Sequence, residues 1–242
     1  LIRKLELFGA KNLLEVGGGW GGLAVAIAKA APHVHITSLT VSHEQFLVAK
    51  RRAEEAGVAD RVTFLEQDYR KYEPEEKFDR IVSVEMIEAV DWRDLDTYFD
   101  KLAEFIDPER GIIALQAITV PHHKEPSQHH RASFANVAIF PGGYLSSVRK
   151  IRQHMERRGF GLAEKPTEMG PSYALTLHEW LKNLAAHRPT LSEKWQAEGH
   201  SVEEIDRFYR GFGFYLAACV AGFRPETGPN MGGQQLVFKP AA

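Results

Sequence analysis

Leu13-Leu14-Glu15-Val16-Gly17-Gly18-Gly19-Trp20-Gly21-Gly22-Leu23-Ala24 is the stretch that decides the fold. It reads as a short buried strand, a glycine turn and the first turns of a helix. Gly17, Gly19 and Gly22 satisfy G-x-G-x-x-G in the strand–turn–helix setting that gives the pattern its meaning. Glycine there lets the backbone turn tightly and approach a ligand closely, while the helix N-terminus offers N–H groups without partners. A turn that only packs helix on strand is the plainer alternative. A nucleotide-type ligand is the stronger one.

Two neighbouring features turn that ligand away from NAD. A dinucleotide site wants an acid about 20 residues downstream to hold the ribose hydroxyls, and that zone here is Thr37-Ser38-Leu39-Thr40. The acid stands instead at Glu15, just before the turn, where it suits a cationic, phosphate-free ligand such as S-adenosylmethionine.

Working outward, strands and helices alternate. Strands are expected at 11–16, 34–39, 61–66, 78–84 and 111–118, with helices at 20–31, 42–56 and 95–106 between them. Ser42-His43-Glu44-Gln45 has the S-x-x-Q form of a capping box, and Gly57 stops that helix. This rhythm means an α/β chain with a parallel, doubly wound sheet. After Thr119 it breaks. A polar, histidine-rich run leads through Ile139-Phe140-Pro141-Gly142-Gly143 to a helix near 149–158 and a sixth strand near 160–166. Helices near 174–186 and 202–223, a loop near 225–233 and a closing strand at 235–239 complete the chain. The expected organisation is one domain over 1–242, with a core of about 1–119 and 160–242. A mainly helical insertion of about 120–159 lies beside the carboxyl ends of the strands, where such sheets bind ligands.

Composition narrows the function classes. With 44% hydrophobic and 26% charged residues, the 242-residue chain can bury a full core. A net charge of −2 and a pI near 6.6 argue against a nucleic-acid partner. Cys219 is the only cysteine, which rules out an intrachain disulfide or a cysteine metal cluster and fits a reducing cytoplasm. No apolar run reaches membrane-spanning length. Because the chain opens at Leu1 almost on the first strand, an upstream segment is expected.

Several stretches together resemble the cyclopropane fatty acid synthases, S-adenosylmethionine-dependent methyltransferases of unsaturated acyl chains. Glu15-Val16-Gly17-Gly18-Gly19-Trp20-Gly21-Gly22 is similar to the family's first motif, and Leu39-Thr40-Val41-Ser42-His43-Glu44-Gln45 to its second-strand motif. Phe78-Asp79-Arg80-Ile81-Val82-Ser83-Val84-Glu85-Met86-Ile87-Glu88 is similar to its fourth. Ile139 to Leu145, Tyr173 to Trp180 and Tyr215 to Arg224 are similar to its substrate region and C-terminal helix. The likeness runs in matching order over nearly the whole chain and implies a class I methyltransferase, Rossmann-like fold. Two positions depart. Gly18 stands where the family usually carries Cys, a change the turn is expected to tolerate, and Gln116 stands where many cyclopropane-forming members have His.

For the cofactor, Gly17, Gly19 and Gly21 are expected along the methionine portion, with Glu15 beneath. Thr40, Ser42 and Gln45 are expected near ribose and adenine, although Ser42 and Gln45 also read as helix caps. Asp68 is expected at the adenine amino group and Tyr69 beside the base, against the alternatives of a solvated turn and simple packing. The resemblance implies attack of an alkene on the sulfonium methyl, in a dry site with a proton acceptor. It also implies a bicarbonate ion held by Glu88, Tyr173, the backbone of Ile118 and the position of Gln116. Gln116 donates hydrogen bonds but takes no proton. Two adjoining anions require a shared proton. Glu85 serves instead of Glu88, or pairs with Arg80. Ring closure gives a cyclopropane, and a hydride shift gives a methylene or methyl branch. The expected partners are unsaturated phospholipid acyl chains, met at the inner membrane face through an upstream segment, a partner protein or an oligomer. The rival is a small-molecule N-methyltransferase of the alkaloid or phosphobase type, which needs no bicarbonate. A Rossmann relative kept as a binding or structural subunit is the non-enzymatic alternative. His122-His123 and His129-His130 lack metal-ligand spacing, so no metal is expected. Phe208, Tyr209, Phe212, Phe214 and Tyr215 read as core or as the wall of an acyl tunnel.

Overall fold

The computed structural model describes residues 1–128, 134–224 and 230–241. Strand β1 (Asn12–Val16) sits mid-sheet, and its alternating side chains feed opposite faces: Leu14 joins one core cluster and Leu13 the other. β2 (His35–Thr40), β3 (Val62–Glu66), β4 (Arg80–Val84) and β5 (Ile112–Thr119) pair in parallel, separated in sequence by helices α1 (Gly22–Ala30), α2 (His43–Glu55) and α3 (Leu95–Phe105). The first ten residues hold a single 3-10 turn, Ile2–Leu5, that buries Leu5. α1 and α2 cover one face of the sheet through Ile27 and Ala49. α3 covers the other face through Phe99 and Leu102.

The far third of the sheet departs from the all-parallel expectation. The order is β3-β2-β1-β4-β5-β8-β6, and β8 (Gly232–Pro240) runs antiparallel to both β5 and β6 (Phe160–Leu162). The cause lies in the register. Gly232, the first residue of β8, pairs with Thr119, the last of β5, so the chain re-enters the sheet at its carboxyl edge and must run back. A two-residue strand, β7 (Thr167–Glu168), also pairs with β8.

The packing of the helices does not follow the boundary expected at 159. Helix α4 (Val148–Glu156) packs on the main sheet, placing Ile151 and Met155 in the same cluster as Phe99. The layer over the carboxyl edge comes from the 134–147 stretch together with α5 (Gly170–Ala186), α6 (Arg188–Ala197) and α7 (Val202–Phe223). α5 and α7 share a third cluster built on Ala174, Leu177, Leu216, Val220 and Phe223. α6 occupies a stretch with no expected helix; it buries none of its residues and so carries no periodic apolar face.

Candidate active site

At the end of β1 the glycine turn takes left-handed conformations that L-residues avoid, with φ of 84° at Gly17. A Cβ on Gly17 would stand 2.6 Å from Met86 Cγ, so the turn lies directly against the end of β4. At Gly19 the turn faces open space, and Gly21 meets Ala49 of α2. Beneath the turn, Glu15 is 3% exposed and accepts a 2.6 Å hydrogen bond from the Ser38 hydroxyl. Burial lifts its carboxyl to about 7, against the smaller opposing pull of that bond. A Cβ on Gly18 would fall 1.9 Å from Ser38 Oγ. Glycine at position 18 thus sits in the turn with the Ser38 hydroxyl in the space a Cβ would take.

The remaining cofactor candidates line the same edge, at the ends of β2 and β3. Thr40 donates to Gln45 Oε1 at 2.9 Å and accepts from the Ser42 backbone at 3.2 Å. Ser42 caps α2 by accepting from the Gln45 N–H at 3.4 Å. The reciprocal half of the expected capping box is absent, since Thr40 takes the Gln45 side chain. Asp68 caps the short turn Tyr69–Lys71 and pairs with Arg70 at 2.6 Å, which holds its carboxyl below the usual range. Tyr69 packs edge-on against Tyr98 with centroids 5.7 Å apart, and burial pushes its phenol up to about 12.

Across Met86 lies the second half of the site, at the ends of β4 and β5. Glu88 sits in the 3-10 turn Ile87–Ala89; its Oε1 accepts the Ile118 N–H at 2.5 Å, and its Oε2 is buried without a hydrogen-bond partner. Burial lifts Glu88 to about 7, against the Ile118 bond and with help from nearby Glu85. Glu85 has φ of 50°, which a glutamate rarely adopts. Its carboxylate accepts from Gln116 Nε2 at 2.9 Å and from the Tyr173 hydroxyl. It does not pair with Arg80, whose guanidinium lies at the opposite end of β4, bonded to the carbonyls of Leu5 and Glu6. Gln116 also donates to the Tyr173 oxygen at 2.9 Å, and Gln235 Nε2 donates to Gln116 Oε1 at 2.9 Å. Tyr173 stacks on Phe223 with centroids 4.9 Å apart, in room left by Gly233, where a Cβ would come within 2.5 Å of the ring. Burial, then Glu85, push the Tyr173 phenol upward.

These groups form the polar end of a cavity of about 900 Å³ with a mainly apolar lining. Of the aromatic series on α7, only Tyr215 lines it; Tyr209 is core, while Phe208 and Phe212 stack on each other near Trp195. Cys219 lines the cavity and is free. Glu85 takes the first of its two expected places, a cavity carboxylate beside Glu88. Gln235 behind Gln116 was not singled out by sequence reasoning and had no signal there. Among the described residues no group of His, Cys, Asp and Glu is arranged to hold a metal ion. His122 faces the buried Glu125 and Ser147 instead, and His129-His130 lie outside the described residues.

Fold and site together define a class I methyltransferase architecture: a glycine turn after the central strand and a covered cavity at the carboxyl edge, flanking the switch between β1 and β4. The profile of the mycolic acid cyclopropane synthetase family matches residues 1–228, and the chain belongs to that family. It is 37% identical over 229 residues to the tuberculostearic acid methyltransferase UfaA1 of Mycobacterium tuberculosis, covering 92% of this chain and 50% of that protein. It is 34% identical over 224 residues to the cyclopropane-fatty-acyl-phospholipid synthase of Escherichia coli, covering 93% and 53%. The chain thus spans about half the length of these relatives. Among solved structures, mycolic acid cyclopropane synthase CmaA1 complexed with SAH and CTAB superposes with a TM-score of 0.77 at 24% identity, covering 98% of this chain and 82% of that one.

Proposed function

We propose that the chain is an S-adenosylmethionine-dependent C-methyltransferase that adds one carbon to the double bond of unsaturated phospholipid acyl chains. The observation that carries this reading is the mainly apolar cavity with Glu85, Glu88, Gln116 and Tyr173 at its polar end, at the same sheet edge as the glycine turn, which packs on Met86 between Glu85 and Glu88 in sequence. The turn fits the cofactor: Gly19 opens onto free space, and beneath the turn lies the buried Glu15 carboxyl, which burial holds toward its neutral form and a cationic ligand would draw toward its charged one. When bound, S-adenosylmethionine supplies an electrophilic methyl group. The chain's part is to exclude water from the alkene, orient it along the cavity and accept a proton. The similarity to UfaA1 and to the Escherichia coli synthase supports lipid C-methylation.

Bicarbonate fits the polar end poorly. The groups expected to hold it already donate to the chain's own carboxylates: the Ile118 N–H to Glu88, and the Gln116 amide and Tyr173 hydroxyl to Glu85. Among the described residues no helix is long and apolar enough to cross a membrane. Val137, Phe140, Leu175 and Trp180 are exposed around the covering layer and support a cytoplasmic protein resting on the inner membrane face. The paired carboxylates would also hold a small cationic amine, which keeps N-methylation as the second reading; the volume and apolar lining favour an acyl chain.

Mass spectrometry of lipids from cells that express the protein and are fed labelled methionine tests the proposal. Label in an acyl chain one carbon heavier is the expected result. Unlabelled lipids together with methylated amines would overturn it in favour of the second reading.

A further inference from the structure

We infer that the Glu85 carboxylate is the proton acceptor of the reaction, built into the chain where the resemblance places an external bicarbonate. The inference rests on the acyl C-methylation reading and names the base within it.

Four observations converge on Glu85. It lies at the carboxyl end of β4, and its backbone N–H is tied to Gln116 O at 2.8 Å. There it holds a left-handed conformation that a glutamate adopts at a cost, and such strain gathers where a side chain must be aimed. Its carboxylate enters the cavity between two neutral donors, Gln116 and Tyr173. Both donors are braced from behind. Gln235 occupies the Gln116 carbonyl oxygen and so turns the NH₂ toward Glu85, while Phe223 and Gly233 fix the Tyr173 ring. Neither an amide nor a phenol raised by burial accepts a proton near neutrality. Glu88 also lines the cavity, but one of its oxygens is taken by the Ile118 N–H and the other has no donor to steady a charge, whereas the Glu85 carboxylate is held by two.

The step balances without an oxidant or a reductant. Transfer of the methyl group to one alkene carbon would release neutral S-adenosylhomocysteine and leave positive charge on the neighbouring carbon. For ring closure a C–H bond of the added methyl group breaks and its electron pair bonds to the cationic carbon; after a hydride shift onto that carbon, the same C–H bond supplies the electrons of a C=CH₂ branch. In both cases the proton passes to a Glu85 oxygen.

The test uses the full chain with S-adenosylmethionine and dioleoyl-phosphatidylglycerol vesicles, in buffer stripped of carbon dioxide and in buffer with millimolar bicarbonate. The wild type is expected to turn over equally in both. E85Q keeps the shape and loses the base; its kcat is expected to fall by about 10²–10⁴ with cofactor affinity unchanged. E85G suits the positive φ and so folds, and its lost activity should return in part with bicarbonate or formate, which can enter between Gln116 and Tyr173. A wild type that stops when bicarbonate is removed overturns the inference, as does an E85Q variant with near wild-type kcat. A wild type inactive in both buffers sinks the acyl reading, and the inference falls with it.

Discussion

The glycine turn and the carboxylate cluster face each other across Met86, yet they are made in opposite ways. The turn is the short run Gly17–Gly21 between β1 and α1, with its shape set by the backbone and its underside closed by Glu15 and Ser38. The cluster is assembled from β4, β5, α5 and β8, with Gln116 linked to Gln235 119 positions away. A ligand that the turn binds is read mainly by main chain and tolerates side-chain change around it. The chemistry of the cluster rests on a few donors that share partners, as Gln116 does between Glu85 and Tyr173, and changes with any of them.

The largest effect expected to separate the two halves is the response to pH. Burial lifts Glu15 from 4.5 to about 7, so between those values the folded chain keeps a proton that the unfolded chain releases. The stability this gives is full below about 4.5 and is lost as pH rises through 7, on the order of 3 kcal/mol. Glu88 acts in the same direction. Thermal unfolding followed from about pH 5 to pH 8 should show a falling Tm in the wild type and a flatter line in Glu15→Gln. Parallel lines would mean that the turn does not depend on a protonated Glu15.

Next in size is Tyr173→Phe, which removes one donor from Glu85 and leaves the turn untouched. Losing a hydrogen bond to a charged group costs about 1.5–3 kcal/mol, so kcat should drop by about 10- to 100-fold while cofactor affinity, measured by calorimetry, holds. A change in affinity of similar size would erase the distinction between the halves.

Gly18→Ala is the converse probe, aimed at the turn alone. Overpacking against Ser38 should lower stability by about 1–3 kcal/mol, and the added change Ser38→Ala should recover most of it. Denaturant titration of the single and double variants decides the matter; no recovery would show that the turn itself, not the hydroxyl, rejects the methyl group.

The smallest effect lies on the outer surface. Leu175→Ser, at a residue 71% exposed on α5, should weaken vesicle binding by a few-fold through lost apolar burial and leave kcat on detergent-dispersed substrate unchanged. Equal binding by both proteins in vesicle sedimentation would remove α5 from the proposed membrane face.

Most of the core was legible in the sequence because its signals are local. β1 to β5 and α1 to α3 are marked by apolar periodicity, by Gly57 and by Ser42. α7 was expected over 202–223, and the structure closes its start with a capping box between Ser201 and Glu204. The antiparallel return of β8 was not legible, since strand direction depends on where α7 delivers the chain. The role of α4 was misjudged for a similar reason: an amphipathic helix shows that it packs, not on what. In the site, Glu88, Gln116, Ile118 and Tyr173 stand together along the cavity, and Glu15 lies under the turn. Asp68 and Ser42 went to their turn and cap partners, Arg70 and Gln45. Gln235 escaped notice because only the folded sheet sets it beside Gln116, and the choice between the two places expected for Glu85 likewise waited on the fold.

The contact between positions 18 and 38 constrains how this sequence can change over time. The volume under the turn admits one side-chain group, and Ser38 holds it. A lineage that acquires a larger residue at 18 must turn the hydroxyl of Ser38 away from Glu15 or lose it, and find Glu15 another partner. The two sites are therefore expected to be epistatic, with Ser38→Ala or Ser38→Gly as the permissive first move.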